Sequence, residues 1–217
     1  MYKEYKWTDR RVDSTTFLYP QLKKVLTQDK NHCILDMGCG NGEIANKLIA
    51  DGFCVYGVDG SKEGVDIANR KNKGHFYVMN FEMKKFPEEL ARLHFDTIIS
   101  TEVLEHLYSP DSYMKLCRKI LKSGGRLILT TPYHGYIKNL ILSVTGKWDA
   151  HFSPLWEGGH IKFWSKKTLT KLLSNNGFWV IRFLGCGRVP YVWKSMLVEA
   201  ACIAEADELE KQRENRF

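Results

Sequence analysis

Six side chains stand at spacings that could do chemistry: Asp36, Asp59, Glu102, Glu105, His106 and His160. Asp36 closes an apolar run, Ile34-Leu35, and opens onto Gly38-Cys39-Gly40-Asn41-Gly42. Glycines at 38, 40 and 42 remove Cβ atoms that would hold a ligand off the backbone. About twenty residues on, the run from Cys54 to Val58 ends in Asp59, whose carboxylate can take both hydroxyls of a ribose. Strand, glycine turn, helix and a distal acid together point to a nucleoside-containing ligand. Many such turns hold a pyrophosphate at the helix N-terminus. Asp36, two residues before the first glycine, would repel that anion and suits a cationic ligand instead. A nicotinamide dehydrogenase is disfavoured on that ground, and no second catalytic domain follows.

The second group is Glu102-Val103-Leu104-Glu105-His106. Residues at i, i+3 and i+4 share one helical face, so this spacing predicts two carboxylates and an imidazole converging. Such a set suits a hard or borderline divalent ion, Mg²⁺ or Mn²⁺. The same three residues could equally serve one another as hydrogen-bond partners within one turn. Without a metal, activating a hydroxyl needs a nearby base, and His106 and His160 are candidates because imidazole titrates near neutrality. His160, in Gly158-Gly159-His160 beside Phe163-Trp164, is the first choice. His134 and His151 are weaker ones.

Alternating strand and helix signals must position these residues, which argues for a parallel sheet covered on both faces. Strands are expected at 32–37, 53–58, 75–79, 95–100, 126–130, 178–184 and 196–201. Helices are expected at 42–51, from Ser61 to about Lys71, from Pro110 to Leu121 with Gly124-Gly125 as its stop, and from Ser165 to Asn175. The resulting fold is α/β, a doubly wound, mostly parallel seven-stranded sheet in a single domain over residues 1–217. An N-terminal cap (1–30) would fold Tyr5, Trp7, Arg10 and Arg11 over the ligand opening. A charged, peripheral, helix-prone tail occupies 203–217. Residues 133–163 interrupt the pattern and carry Tyr133, Tyr136, Trp148, Phe152 and Trp156, so they read as an ordered lid over a substrate.

The length of 217 residues, 44% hydrophobic and 26% charged, suits an ordinary soluble domain with a sizeable core. The opening Met1-Tyr2-Lys3-Glu4 has no apolar core of a signal peptide, and no run reaches membrane-spanning length. Six cysteines without CxxC pairing read as small buried thiols in a reducing cytoplasm. The net charge of +7 is spread along the chain with no block of five or six cations, so nucleic acid is not the expected partner.

The glycine segment resembles motif I of the class I S-adenosylmethionine-dependent methyltransferases, and the resemblance extends over roughly residues 30 to 200. It implies a Rossmann-like methyltransferase fold with S-adenosylmethionine as cofactor. Asp36 and the amides of Gly38, Cys39 and Gly40 would surround the methionine part. Asp59 and Gly60 would hold the ribose, Asn80 and Phe81 the adenine, and Thr101 and Glu102 the region of the sulfonium. Asn80 departs from the acid more common there and offers only an amide oxygen to the adenine amino group. The Glu-Val-Leu-Glu-His run is similar to those of two O-methyltransferase families, one acting on catechol-type intermediates of ubiquinone synthesis, the other on the terminal 2′-hydroxyl of small RNAs. Carried over, the metal ligands would be Glu102, Glu105, His106 and His160; without a metal, His160, His106 and Glu102 would carry the catalysis. The apolar stretch Ile137 to Val144 resembles the membrane-touching insertion of the ubiquinone-pathway enzymes. The implied function is methyl transfer to a small-molecule acceptor at a phenol, quinol or sugar hydroxyl, with a possible peripheral membrane contact. An RNA 2′-O-methyltransferase and a non-catalytic nucleoside-binding protein are the alternatives.

Overall fold

The structure, a computed structural model, describes residues 7–8, 13–26, 32–81, 85–152, 155 and 158–203. Its strands are β1 (Cys33–Met37), β2 (Cys54–Asp59), β3 (Phe76–Val78), β4 (Phe95–Thr101), β5 (Leu121–Pro132), β6 (Phe178–Cys186) and β7 (Ser195–Cys202). They form one sheet in the order β3-β2-β1-β4-β5-β7-β6. Only β7 runs against its neighbours. Because successive strand residues point to opposite faces, Ile34 and Leu35, Ile98 and Ile99, and Leu127 and Ile128 each divide between two cores. One core is closed by α4 (Pro110–Ile120) and α7 (Lys166–Asn175), which contribute Met114, Cys117, Leu169 and Leu173. The other is closed by α1 (Thr15–Val25), α2 (Glu43–Ala50) and α3 (Lys62–Asn69), through Leu18, Leu22, Leu48 and Val65. Both faces of the middle strands are dry, which is why they read as near-continuous apolar runs.

The expected doubly wound, mostly parallel seven-stranded sheet is the one the chain builds. Four local expectations are corrected. Helix α1 lies inside the N-terminal cap, where no helix was foreseen; Pro20 stands in its interior and masks the periodicity. Strand β5 begins directly after α4, at Leu121, and not beyond Gly124-Gly125. Cys54 is exposed and Cys33 half-buried, so the six thiols are not uniformly interior. The segment after β5 folds as α5 (Tyr136–Val144) and α6 (Trp148–Phe152). Tyr5, Arg10, Arg11, Trp156 and the tail from 204 lie outside the described residues. No helix among the described residues is long and apolar enough to cross a membrane.

The strand order reverses at β1, flanked by β2 on one side and β4 on the other. Connections leave in opposite directions there and open a crevice beyond the carboxyl ends of the strands. At the far side of the sheet, buried Glu199 of β7 accepts from Arg126 Nη1 of β5 at 2.9 Å and pairs with Arg182 Nε of β6 at 3.2 Å. Removing one partner leaves a buried carboxylate undercompensated. Arg126→Met should therefore cost about 3 kcal/mol, read as a lower urea midpoint with an unchanged slope.

Candidate active site

A cavity of ≈ 190 Å³ occupies the crevice, lined by Trp7, Asp36, Gly38, Cys39, Gly40, Asp59, Gly60, Phe81, Thr101, Glu102 and His106, among others. Asn80, two residues past the end of β3, does not line it, whereas its neighbour Phe81 does. The glycines take positive φ, +90° at Gly38, +53° at Gly40 and +71° at Gly42, which bends the chain from β1 into α2. A Cβ at Gly38 would strike the Val103 side chain, and one at Gly40 would lie 2.5 Å from the Trp7 ring. Trp7 thus rests on the turn and forms part of the cavity wall, as do Ser14 and Thr15 at the start of α1. Trp7 was expected over the ligand opening and lines the cavity; only its seat on Gly40 was not foreseen.

Gly38, Cys39 and Gly40 all line the cavity, and their amides also bond within the protein. Gly38 and Cys39 donate to the Val58 carbonyl at 2.8 and 3.1 Å, and Gly40 donates to Asp59 Oδ2 at 2.8 Å. Ser61 donates to Asp59 Oδ1 at 2.8 Å, so two backbone donors fix the Asp59 carboxylate at the cavity edge. An ionised carboxylate has about four acceptor positions, and those left over can take a pair of hydroxyls.

Asp36 is 1% exposed, and among the described residues neither of its carboxylate oxygens has a hydrogen-bond donor. Burial, then the nearby Asp59 charge, pushes its pKa up to about 8. A buried carboxylate of this kind at a cavity wall is an incomplete arrangement. The ammonium and sulfonium of S-adenosylmethionine would complete it, and a pyrophosphate would aggravate it.

Glu102 sits at the end of β4 with φ +54°, a left-handed conformation that breaks the strand. Leu104–His106 then form a single 3₁₀ turn, so residues 102, 105 and 106 do not share an α-helical face. Thr130 donates to Glu102 Oε1 at 3.0 Å and Ser195 to Oε2 at 3.1 Å, which turns this carboxylate toward β5 and β7. Burial raises its pKa to about 7 against those two hydrogen bonds. Of the four expected ligands the structure brings together three. One ligand atom each of Glu105, His106 and His160 lies within 4.8 Å of the others. His160 arrives because Ile161 and Lys162 both donate to the Glu105 carbonyl, at 2.9 and 3.0 Å.

The Glu105 carboxylate is buried with only its own amide and the Thr131 hydroxyl to favour its charge among the described residues, and burial, then the Glu102 charge, raises this carboxyl well above its usual range. His106 Nδ1 lies 3.2 Å from the Gly159 carbonyl, which can only accept, so Nδ1 carries the proton and Nε2 keeps its lone pair. His160 Nδ1 is buried with no partner, and burial, then His106, lowers its pKa to about 4. The rings of His106 and His160 meet edge to face at 5.1 Å. His134 and His151 form a second pair, Nε2 to Nε2 at 3.4 Å, enclosed by Trp148, Phe152 and Phe163.

A family model described as a methyltransferase domain matches residues 10–182. The chain belongs to that family. It is 30% identical over 161 residues to the human mitochondrial ubiquinone biosynthesis O-methyltransferase, covering 70% of this chain and 42% of the human protein. It is 27% identical over 158 residues to the ubiquinone biosynthesis O-methyltransferase of Coxiella burnetii (strain Dugway 5J108-111), covering 72% of this chain and 67% of that one. A solved S-adenosylmethionine-dependent methyltransferase from Methanosarcina mazei superposes with a TM-score of 0.62 at 22% identity, over 86% of this chain and 99% of that one. The Asp36 carboxylate, unpartnered among the described residues, suits the positive charges of a methyl donor such as S-adenosylmethionine.

Asp36 generates a pH prediction. In the unfolded chain its carboxyl titrates near 4, so the folded protein retains a proton that the unfolded one releases. That stabilisation is complete below about pH 4 and is lost as the pH rises through 8. Asp36→Asn should therefore make the ligand-free protein more stable by roughly 2 kcal/mol or more at pH 8, with the gain shrinking toward pH 4 in urea titrations, while weakening cofactor binding. Asp59→Ala should weaken S-adenosylmethionine binding by roughly 1–3 kcal/mol in calorimetry; unchanged affinity would move the ribose contact elsewhere.

Proposed function

We propose that this methyltransferase transfers the methyl group of S-adenosylmethionine to a hydroxyl of a small-molecule acceptor, with a divalent cation held by Glu105, His106 and His160. The observation that carries it is the convergence of those three groups beside the cavity, with His160 Nδ1 buried and unpartnered among the described residues. S-adenosylmethionine supplies a methyl group on a good leaving group, so the chain's task is placement and the exclusion of water. Asp36 would neutralise the cofactor's cationic end, Asp59 would hold its ribose, and Trp7 and Phe81 would wall it in. One carboxylate and two imidazoles fit a borderline ion such as Mn²⁺ better than Mg²⁺, which prefers oxygen. An ion there would lower the pKa of the acceptor hydroxyl and orient it.

His160 as a lone general base is less well supported, since a pKa of about 4 leaves little affinity for the hydroxyl's proton. The hydrogen bond from His106 Nδ1 to a backbone carbonyl is the kind of support that fixes a ligating imidazole. Helices α5 and α6 would cover the acceptor. The outer face of α5, with Ile137, Leu140, Ile141 and Val144 exposed, supports a peripheral contact with a membrane surface. Similarity to ubiquinone biosynthesis O-methyltransferases supports oxygen as the methylated atom.

The test is activity on a panel of phenol, quinol and sugar acceptors, read as S-adenosylhomocysteine formed. EDTA should lower turnover by about 10²-fold or more, the scale of losing one transition-state stabiliser, and Mn²⁺ should restore it. Glu105→Ala should bind cofactor but not respond to Mn²⁺. Turnover indifferent both to EDTA and to His160→Ala would leave catalysis to positioning alone and overturn the metal.

A further inference from the structure

Cys33 opens β1 and Cys54 opens β2, and the parallel ladder sets the two residues directly opposite each other. Residues in register point to the same face of a sheet, so the two side chains stand together. Their Sγ atoms are 3.9 Å apart. Neighbouring strands run about 4.8 Å apart, inside the Cα separation of about 4.4–6.8 Å that a disulfide spans. Joining the sulfurs therefore needs rotation of two short side chains and no shift of the backbone.

The two thiols differ in access. Cys54 is exposed and Cys33 half-buried, whereas Cys39, Cys117, Cys186 and Cys202 are buried. Burial, then the Cys54 charge, pushes the Cys33 thiol up to about 12, while Lys122 acts the other way. Asp96 holds Lys122 there, accepting from its Nζ at 2.7 Å and from the Cys33 amide at 2.9 Å. Access makes Cys54 the thiol that meets an oxidant first and Cys33 the one that follows. Once Cys54 is oxidised, its charge no longer opposes ionisation of Cys33.

We propose that Cys33 and Cys54 form a reversible redox site, closed to a disulfide by a peroxide, that ties β1 to β2 at the end of the strands away from the cofactor cavity. The Cys54 thiolate attacks hydrogen peroxide; the O–O bond breaks, Cys54 becomes a sulfenic acid, and the leaving hydroxide takes a proton to become water. The Cys33 thiolate then attacks the Cys54 sulfur, the S–O bond breaks, and a second water leaves in the same way. The two sulfurs give up two electrons, which the peroxide takes. A small thiol reverses the bond by attacking the exposed Cys54 sulfur, and a second equivalent frees it. Asp36 and Asp59 lie toward the other ends of the same strands, and neither cysteine lines the cavity. The effect of the bridge falls on stability, because closing a loop of about twenty residues restricts the unfolded chain.

The experiment treats the full chain, loaded with S-adenosylhomocysteine, with hydrogen peroxide, alkylates the remaining thiols and reads the intact mass. The oxidised chain should carry two fewer alkyl groups than the reduced one, and dithiothreitol should restore both. Tryptic fragments 31–47 and 48–62 should be joined through Cys33 and not Cys39. The bridged protein should melt roughly 5–10 °C higher, with affinity for S-adenosylhomocysteine unchanged within about twofold. Cys54→Ser, at an exposed position, should lose the bridge and the rise in melting temperature together. Cys33→Ser should leave a sulfenic acid on Cys54 that dimedone traps; if that variant does not fold, wild type and Cys54→Ser decide the question. A chain that gains only oxygen at Cys54, a dimer joined through Cys54, or a bridge that persists in Cys54→Ser overturns the site. So do thiols untouched by peroxide that oxidises glutathione in the same tube. A bridge that leaves melting unchanged, or weakens S-adenosylhomocysteine binding about tenfold, overturns the tie between the strands.

Discussion

The site depends on carboxylates kept from water at the ends of parallel strands. Asp36 at the end of β1 and Glu102 and Glu105 just past β4 all have their protons held more tightly by burial than a surface acid would. An acid in that condition either stays neutral or waits for a cation. The sheet supplies the burial, since both its faces are covered and its strand ends open into one crevice. Hydrogen bonding then divides the acids: Glu102 is held by Thr130 and Ser195, whereas among the described residues Asp36 has no donor and Glu105 only weak ones in Thr131 and its own amide. Those two mark separate places for positive charge, one at the cofactor and one beside the histidines.

Binding and chemistry are accordingly built on different parts of the chain. The cofactor wall comes from the first half, where β1, β2 and the turn between β1 and α2 are tied by backbone hydrogen bonds. The proposed acceptor side would draw on distant segments: the 3₁₀ turn after β4, the helices after β5 and the Gly158-Gly159-His160 stretch. The Glu105 carbonyl, accepting from both Ile161 and Lys162, is the joint between them. A change of acceptor can therefore be accommodated in the later segments without disturbing the earlier ones.

The first half was the more legible in the sequence for the same reason. Glycines at 38, 40 and 42 and acids at 36 and 59 act through local geometry, and local geometry is written in spacing. The alternation of apolar runs likewise gave all seven strands. Spacing misled at 102–106, where an α-helical period was assumed and a left-handed Glu102 followed by a 3₁₀ turn was found. What decides that stretch is Thr130 and Ser195, 28 and 93 residues away. The burial of Lys138 was hidden for a related reason: its ammonium meets the Lys194 carbonyl, 56 residues away. Helix α1 was hidden by its proline, and the packing of Trp7 on Gly40 has no periodic signature.

The glycine turn has a further consequence for exchange at the site. The Gly38, Cys39 and Gly40 amides already donate to Val58 and Asp59. Exchange of a bound nucleoside would then strand none of these three donors. The turn behaves as a finished surface on which occupants are replaced, so the energetic cost of changing them falls on side chains, Asp36 above all, whose proton can leave and return as positive charge comes and goes.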